Sequence, residues 1–244
     1  MHILLTRAKD SNQIMSDALT QRGIAHSITP LLEVQTNFVN KKQKQALNEA
    51  DIVIFISVNA VIYAYNSGLV PANTTIQYFA VGNATHHELT KLGVDSKVAT
   101  MGQHHSEGLL GLDGLKSVIN RRITIIRGCG GRELLAEVLR ERGALVEYCE
   151  VYQRNMPSYA KQQVCQVWQD AKVSTILITS GEILSNLIKL VPKESFAWLN
   201  SCFIVVPSER VADMAKRAGL SNVVNAGSAS SEKMLAAVLD TSHD

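Results

Sequence analysis

The sequence predicts an α/β protein that consists of two similar lobes with parallel β-sheets. Three observations support this prediction. Short β-branched runs alternate with amphipathic stretches along the chain, a pattern typical of parallel strands joined by crossover helices. One strand and helix near the start recur in ungapped register 120 residues later, where Arg127 corresponds to Arg7. Hydrophobic residues make up 46% of the 244 residues and charged residues 19%, which indicates a folded, aliphatic-rich chain.

Six short runs are predicted to be strands. They cover residues 3–6, 52–57, 78–82, 123–127, 175–180 and 203–207. Most of the intervals between them are long enough to hold a helix. The run 52–56 is apolar throughout, which favours sheets covered by helices on both faces.

The first helix and its repeat share a predicted apolar face and a common stop signal. The face comprises Ile14, Met15, Ala18 and Leu19 in the first copy and Leu134, Leu135, Val138 and Leu139 in the second. Each helix is followed by an Arg-Gly pair, Arg22-Gly23 and Arg142-Gly143, which is a basic last turn followed by a glycine stop. An ancient duplication is the simplest explanation of this register.

Two extended stretches follow these helices, residues 26–36 and 145–154. Each is about twice the mean strand length of roughly 5–6 residues. Because they are repeat-equivalent, we expect them to pair as a two-stranded β connector. The prediction is therefore two flavodoxin-like or Rossmann-like lobes: lobe 1 from residues 1–34 and 153–244, and lobe 2 from residues 35–152.

Candidate ligand-binding residues lie where the predicted strands end, since parallel α/β sheets bind ligands beyond the carboxyl ends of their strands. These residues are hydroxyl-bearing, small or cationic, and a helix start follows them. They are Thr6, Arg7, Ser57, Gly82, Asn83, Ala84, Thr85, Arg127, Gly128, Thr179, Ser180 and Ser208. Helix N-termini attract anions, so the expected ligand is an anion. The alternative for each Ser or Thr is that it only caps the helix behind it.

The glycine-rich segment 127–133 follows a strand and opens a helix. It half matches a dinucleotide-binding fingerprint, but Glu133 stands where the third glycine would fall. An anion-binding turn that includes Gly131 and Arg132 is the better interpretation.

Several functional classes have little support. The 24 basic and 22 acidic residues give a charge of only +2, so nucleic-acid binding is not expected. Neither a signal peptide nor a run of roughly 18 apolar residues is present, so we expect no membrane association and a cytoplasmic location. The four cysteines form no Cys-x-x-Cys pair, and the histidine pairs His86-His87 and His104-His105 are predicted to lie on the surface. No metal site is therefore expected.

Five motifs carry a family resemblance. They are Leu5-Thr6-Arg7, the segment 79–85 (Phe-Ala-Val-Gly-Asn-Ala-Thr), Ile126-Arg127-Gly128 with Gly131-Arg132-Glu133, the segment 149–154 (Cys-Glu-Val-Tyr-Gln-Arg), and Thr179-Ser180-Gly181-Glu182. With these motifs the sequence resembles the uroporphyrinogen-III synthase family over nearly the whole chain.

The resemblance implies a two-lobed enzyme of heme and tetrapyrrole biosynthesis that needs no cofactor. Its substrate would be hydroxymethylbilane, a linear tetrapyrrole with eight carboxylates, held in a cleft between the lobes and cyclised to uroporphyrinogen III with loss of water and inversion of ring D. Tyr152 matches the Val-Tyr-Gln tyrosine of the family and is the candidate for assisting departure of the hydroxyl. The alternative is a tyrosine that merely packs on the connector. We expect a monomer.

Two other functional classes remain open at this point. Two-lobed α/β proteins often bind small molecules without any chemistry, so a non-catalytic sensor or binding protein is the first alternative. A nucleotide-dependent transferase is the second, although the sequence contains no phosphate-binding loop of the Gly-x-x-x-x-Gly-Lys type.

Overall fold

The computed structural model describes residues 1–70, 75–99, 106–131 and 133–240. Their strands are β1 His2–Leu5, β2 Ala25–Ile28, β3 Glu33–Thr36, β4 Ile52–Phe55, β5 Gln77–Ala80, β6 Lys97–Val98, β7 Arg122–Gly128, β8 Leu145–Asn155, β9 Thr175–Leu177, β10 Phe203–Val206 and β11 Val223–Asn225. Their helices are α1 Gln13–Thr20, α2 Lys41–Asn48, α3 Val58–Asn66, α4 Asn83–Lys91, α5 Ser106–Leu110, α6 Asp113–Lys116, α7 Leu134–Glu141, α8 Lys161–Asp170, α9 Gly181–Leu190, α10 Phe196–Ser201, α11 Glu209–Arg217 and α12 Ser231–Asp240.

The α/β fold with parallel sheets is confirmed, and the six predicted strands correspond to β1, β4, β5, β7, β9 and β10. Several end earlier than predicted. The reason is that Ser57, Gly82 and Ser180 are the extended N-cap residues of the helices that follow, so the chain has already turned out of the sheet.

The chain divides into two compact units. The first comprises Met1–Glu33 and Asn155–Asp244, and the second Val34–Arg154. The first contains a five-stranded sheet in the order β11-β10-β9-β1-β2, with parallel pairs throughout. Alternate residues of β1 enter different apolar clusters: Leu4 packs in the cluster with α8 to α11, and Ile3 and Leu5 in the cluster with α1 and α12. Both faces of this sheet are therefore buried, as the apolar strands predicted.

The second unit contains a six-stranded sheet in the order β3-β8-β7-β4-β5-β6. Its strands β4, β5, β6, β7 and β8 pair in parallel. Val53 and Phe55 of β4 belong to one apolar cluster, and Ile52 and Ile54 to the cluster on the other face. This sheet is also covered on both sides.

The stretch 26–36 is not the single long strand that we expected. It contains β2, in the sheet of the first unit, and β3, beside β8 in the sheet of the second. Residues 29–32 separate them and include Pro30, which has no N–H to donate to a ladder. By contrast, β8 is continuous over 11 residues. The two-stranded connector itself stays a prediction.

The internal repeat extends to the helix ends. Gly23 and Gly143 both have positive φ, 66° and 85°. In each copy the next residue donates its N–H five residues back, Ile24 to Leu19 and Ala144 to Leu139, both at 3.0 Å. This is the Schellman arrangement that a glycine stop predicts.

One prediction about the repeated helices is wrong in the same way in both copies. Ile14 and Leu134 were expected on the apolar face, but they are 74% and 38% exposed. The buried positions are Met15 and Leu19 in α1 and Leu135 and Leu139 in α7. The first turn of each helix presents its leading apolar side chain away from the core.

Candidate functional site

Four strand ends share one backbone geometry. Ser57, Gly82, Ser180 and Ser208 are extended, with φ of −163°, −156°, −158° and −166°, and each stands directly before a helix. The Ser57 hydroxyl accepts a hydrogen bond from Ala60 N at 3.1 Å, and Ser180 accepts one from Ile183 N at 3.2 Å. Capping, the alternative for these two serines, is therefore present.

Ser208 differs from these two serines because its side chain makes no capping hydrogen bond.

Asn83 and Ala84, at the start of α4, are exposed, whereas Thr85 is only 5% exposed. Thr85 was predicted to bind ligand, but it faces the core, on the same helix face as the buried Leu89 four residues later.

In the first unit the structure brings Thr6, Arg7 and Thr179 together. With Asn12 and apolar neighbours they line a cavity of about 10 Å³, room for about one water molecule. Thr6 is buried, and its hydroxyl donates to Leu177 O across the β1–β9 pair. Arg7 is half-buried, and its guanidinium donates to Ser231 Oγ at 3.4 Å and to Ala229 O.

Arg7 has no carboxylate partner among the described residues, since both of its acceptors are neutral. Burial lowers the pKa of Arg7, but an arginine remains charged at neutral pH. Asn12 was not predicted to have a role. Its side chain is 1% exposed and donates to Arg7 O at 2.9 Å and Ala8 O at 3.1 Å, so it holds the turn that carries the arginine. An asparagine before a helix is a recognisable capping signal, but the Asn12 side chain makes no capping hydrogen bond to α1 and bonds to the preceding turn instead.

In the second unit the structure brings Ser57, Gly128 and Tyr152 together. The Tyr152 hydroxyl lies 3.2 Å from Ser57 Oγ, although the two residues are 95 positions apart. Tyr152 is only 2% exposed, and its ring packs 5.6 Å from the ring of Tyr63. A Cβ on Gly128 would lie 2.4 Å from the Tyr152 ring, so only glycine permits this close approach.

Arg127 was predicted to bind ligand, but its guanidinium is used within the protein. It is 2% exposed, pairs with Glu133 at 3.0 Å, and also donates to Gly128 O at 3.2 Å and to Gly130 O. A Cβ on Gly131 would lie 2.7 Å from this guanidinium, and φ there is +109°. Gly131 therefore makes room for Arg127. Arg132 lies outside the described residues.

Two carboxylates occupy the turn that was predicted to bind an external anion. Gly130 N donates to Glu150 Oε1 at 3.2 Å. Tyr148 donates to the other oxygen of Glu133, and this bond, followed by the Arg127 guanidinium, lowers the pKa of the Glu133 carboxyl. The donors of this turn are thus bonded to carboxylates of the protein itself, Gly130 N to Glu150 and Arg127 to Glu133.

The cysteines and histidines suggest no reactive or metal centre in the described parts of the chain. Burial raises the pKa of Cys149, Cys165 and Cys202 to about 11, so these thiols stay protonated. Cys129 is exposed. His86 Nδ1 lies 2.8 Å from Ser96 Oγ, and His104 and His105 are outside the described residues. Within the described ranges, no three His, Cys, Asp or Glu side chains lie close enough together to hold a metal ion. In the same ranges, no helix is long and apolar enough to cross a membrane.

Comparisons with known proteins agree with one another. The family described as "Uroporphyrinogen-III synthase HemD" matches residues 13–236. The uroporphyrinogen-III synthase of Salmonella typhimurium strain LT2 is 33% identical in an alignment of 255 positions that spans 98% of this chain and 100% of that protein. The enzyme of the same name from Escherichia coli K12 is 32% identical in an alignment of 246 positions, which again spans 98% and 100%.

Solved structures match the fold. The uroporphyrinogen-III synthetase of Helicobacter pylori 26695 has a TM-score of 0.63 at 15% identity, over 98% of this chain and 99% of that one. A mutant uroporphyrinogen III synthase from the extremely thermophilic bacterium Thermus thermophilus also has a TM-score of 0.63 at 15% identity, over 100% and 98%. At this identity the likeness concerns the fold alone.

Proposed function

We propose a function from one premise: this chain belongs to the uroporphyrinogen-III synthase family. It is a cyclising lyase of tetrapyrrole biosynthesis that produces uroporphyrinogen III. The observation that carries this conclusion is the 33% identity to a named synthase over 98% of this chain and the whole of that relative.

The substrate is the linear tetrapyrrole hydroxymethylbilane. Its terminal hydroxyl leaves as water, the substituted carbon of ring D attacks to give a spiro intermediate, and the rings recombine with ring D inverted. Without catalysis the chain closes to the isomer with ring D unturned. The enzyme therefore contributes mainly orientation, by holding one ring-closing geometry. The overall change is a dehydration without oxidation or reduction, so no redox cofactor is needed to balance it.

In the first unit, Arg7 is proposed to bind a substrate carboxylate. The support is that its charge has no acidic partner among the described residues. Thr179, Ser180 and Ser208 stand at the ends of the neighbouring strands β9 and β10 and supply hydroxyl groups or helix-start N–H groups. Each charge-assisted hydrogen bond contributes about 1.5–3 kcal/mol, so a few of them suffice to select one conformation of a flexible polyacid.

In the second unit, the start of α4 at Gly82, Asn83 and Ala84 is proposed to receive another carboxylate, since the first turn of a helix carries the positive end of the helix dipole and Asn83 and Ala84 are exposed there. Arg127 and Gly131 are left out of this proposal. The Arg127 guanidinium occupies the space that a side chain at residue 131 would need, and it donates to Gly130 O.

Tyr152 is proposed to assist loss of the hydroxyl through Ser57. Its ring is buried, and its hydroxyl meets Ser57 Oγ, which is less buried and stands at the strand end. The phenol donates to Ser57, and Ser57 donates to the leaving oxygen, which departs as water. The ring-closing tetrapyrrole releases one hydrogen, which restores the proton to the phenol. Each proton that moves is thereby returned.

The test is incubation with freshly generated hydroxymethylbilane, followed by oxidation and separation of the porphyrin isomers. We expect type III product to form well above the uncatalysed rate. Type I product alone, at the rate seen without protein, would refute it, and tetrapyrrole binding without type III product would favour the non-catalytic binding protein. A monomeric, cytoplasmic enzyme is part of the same proposal, and sedimentation at the mass of one chain tests the first of these.

A further inference from the structure

Arg210 lies in the first turn of α11, two residues after Ser208 and at the carboxyl end of β10. Strand β10 is hydrogen-bonded to β9, which leads into Thr179 and Ser180. The side chain thus starts from the same end of the sheet as the hydroxyl groups proposed to bind substrate. The sequence alone assigns this arginine no role.

The contacts of Arg210 connect two helix starts. Its Nη1 donates to Met214 Sδ at 3.4 Å. The same nitrogen lies 3.3 Å from where a Cβ would stand on Gly181, the first residue of α9 and the neighbour of Ser180. The guanidinium therefore reaches from the start of α11 to the start of α9. The missing side chain at Gly181 leaves room first for the end of Met214, whose Sδ and Cε would lie 3.0 Å from a Cβ, and then for the guanidinium bonded to it.

The charge of Arg210 has no acidic partner among the described residues. A thioether sulfur is a weak acceptor, whereas a guanidinium has five N–H donors. Glu209, the adjacent acid, accepts from Asn225 Nδ2 at 3.0 Å. The arginine is also exposed, so its remaining donors can be reached by a ligand.

The position of this charge is unfavourable for the fold alone. Helix N-termini carry partial positive charge, and cations are favoured at the opposite end. Arg217 and Lys216, in the last turn of the same helix, follow that rule, but Arg210 places a cation at the starts of α11 and α9. An anionic ligand reverses this penalty, because the helix starts and the guanidinium then act on it together.

We propose that Arg210 binds an acetate or propionate carboxylate of the substrate, together with the uncapped hydroxyl of Ser208. This inference rests on the proposed function and names a further substrate-binding residue for it. Because a guanidinium matches a carboxylate with two parallel hydrogen bonds, lysine would replace it only in part.

The experiment compares Arg210→Gln, Arg210→Lys and the matched control Arg217→Gln, which removes the same charge from the other end of the helix. KM and kcat are measured with freshly generated hydroxymethylbilane by the isomer assay. Arg210→Gln is expected to raise KM about 10- to 100-fold with kcat changed by less than about 3-fold, as for loss of an exposed charge-assisted contact to one carboxylate that binds substrate and transition state equally. Arg210→Lys is expected to lie between, and Arg217→Gln to match the wild type.

Two further measurements separate the outcomes. The unfolding midpoint of Arg210→Gln is expected to equal or exceed that of the wild type, because an unfavourable charge is removed. The wild-type KM is expected to rise with NaCl more steeply than that of the variant. If the wild type makes type III product and Arg210→Gln keeps the wild-type KM, the inference fails while the proposed function stands. If the wild type makes only type I product, the proposed function itself fails.

Discussion

Replacing Tyr152 by phenylalanine separates a chemical role of its hydroxyl from a packing role. The ring stays packed, and only the contact to Ser57 Oγ at 3.2 Å is lost. That distance is longer than usual for a hydrogen bond between two oxygens, so the bond contributes only about 0.5–1 kcal/mol to stability. Ser57 still accepts from Ala60 N, so its hydroxyl is not left without a partner. We expect the unfolding midpoint to fall by no more than about 4 °C.

Turnover is expected to fall much further, by about 10²- to 10⁴-fold, the range typical of a general acid. That loss corresponds to roughly 2.7–5.5 kcal/mol in the barrier, several times the effect on stability. The matched control is Tyr63→Phe, which removes a shorter hydrogen bond, 2.7 Å to Val34 O, from the ring beside Tyr152. The control is expected to lose more stability than Tyr152→Phe and to keep its turnover.

The assay is single-turnover conversion of hydroxymethylbilane, with far-ultraviolet circular dichroism to confirm folding. A double variant with Ser57→Ala tests the route through the serine: if the proton passes through Ser57, the double variant is no slower than the slower single variant. Turnover of Tyr152→Phe within about 3-fold of the wild type would remove the phenol from the chemistry.

Three further predictions concern packing, charge and pH. Gly128→Ala places a Cβ 2.4 Å from the Tyr152 ring, so we expect unfolding in urea to show a loss of about 1–3 kcal/mol; an unchanged midpoint contradicts the packing. Arg7→Gln is expected to raise KM about 10-fold or more at nearly constant stability. Arg127→Met is expected to lower the free energy of unfolding by about 1–3 kcal/mol, because the acceptors of Arg127 are left unpaired. If kinetics and urea unfolding show the reverse pattern, the two arginines have the opposite roles. Burial, and then the neighbouring His26, lowers the pKa of His2. As the pH decreases below the ordinary histidine pKa of about 6.5, the unfolded chain therefore takes up a proton that the folded chain does not, and the free energy of unfolding decreases. Urea unfolding at pH 7.5 and 5.5 is expected to show a smaller fall in His2→Gln, and equal falls would exclude this contribution.

The repeat shows how much of the candidate site can be predicted from local sequence. Arg7 and Arg127 stand at the carboxyl ends of equivalent strands, Arg7 just after β1 and Arg127 within β7, and the sequence predicts the same role for both. In the structure Arg127 pairs with Glu133, whereas the residue 120 positions earlier, Gln13, binds Asp17 instead. This difference was visible as an acid in one copy and an amide in the other. Its consequence, the internal pairing of Arg127, depends on where the fold places the two side chains.

The local sequence by itself determined six of the strands, the parallel sheets covered on both faces, the glycine stops and the ends of the strands where polar groups collect. These features depend on neighbours within one turn or one strand, so their causes lie in adjacent residues. The contact of Tyr152 with Ser57, the burial of Arg127 and the reach of Arg210 to Gly181 were decided by tertiary structure. Each joins different elements of the fold, and whether a polar group is used internally or left for a ligand depends on which partners packing brings within hydrogen-bond distance.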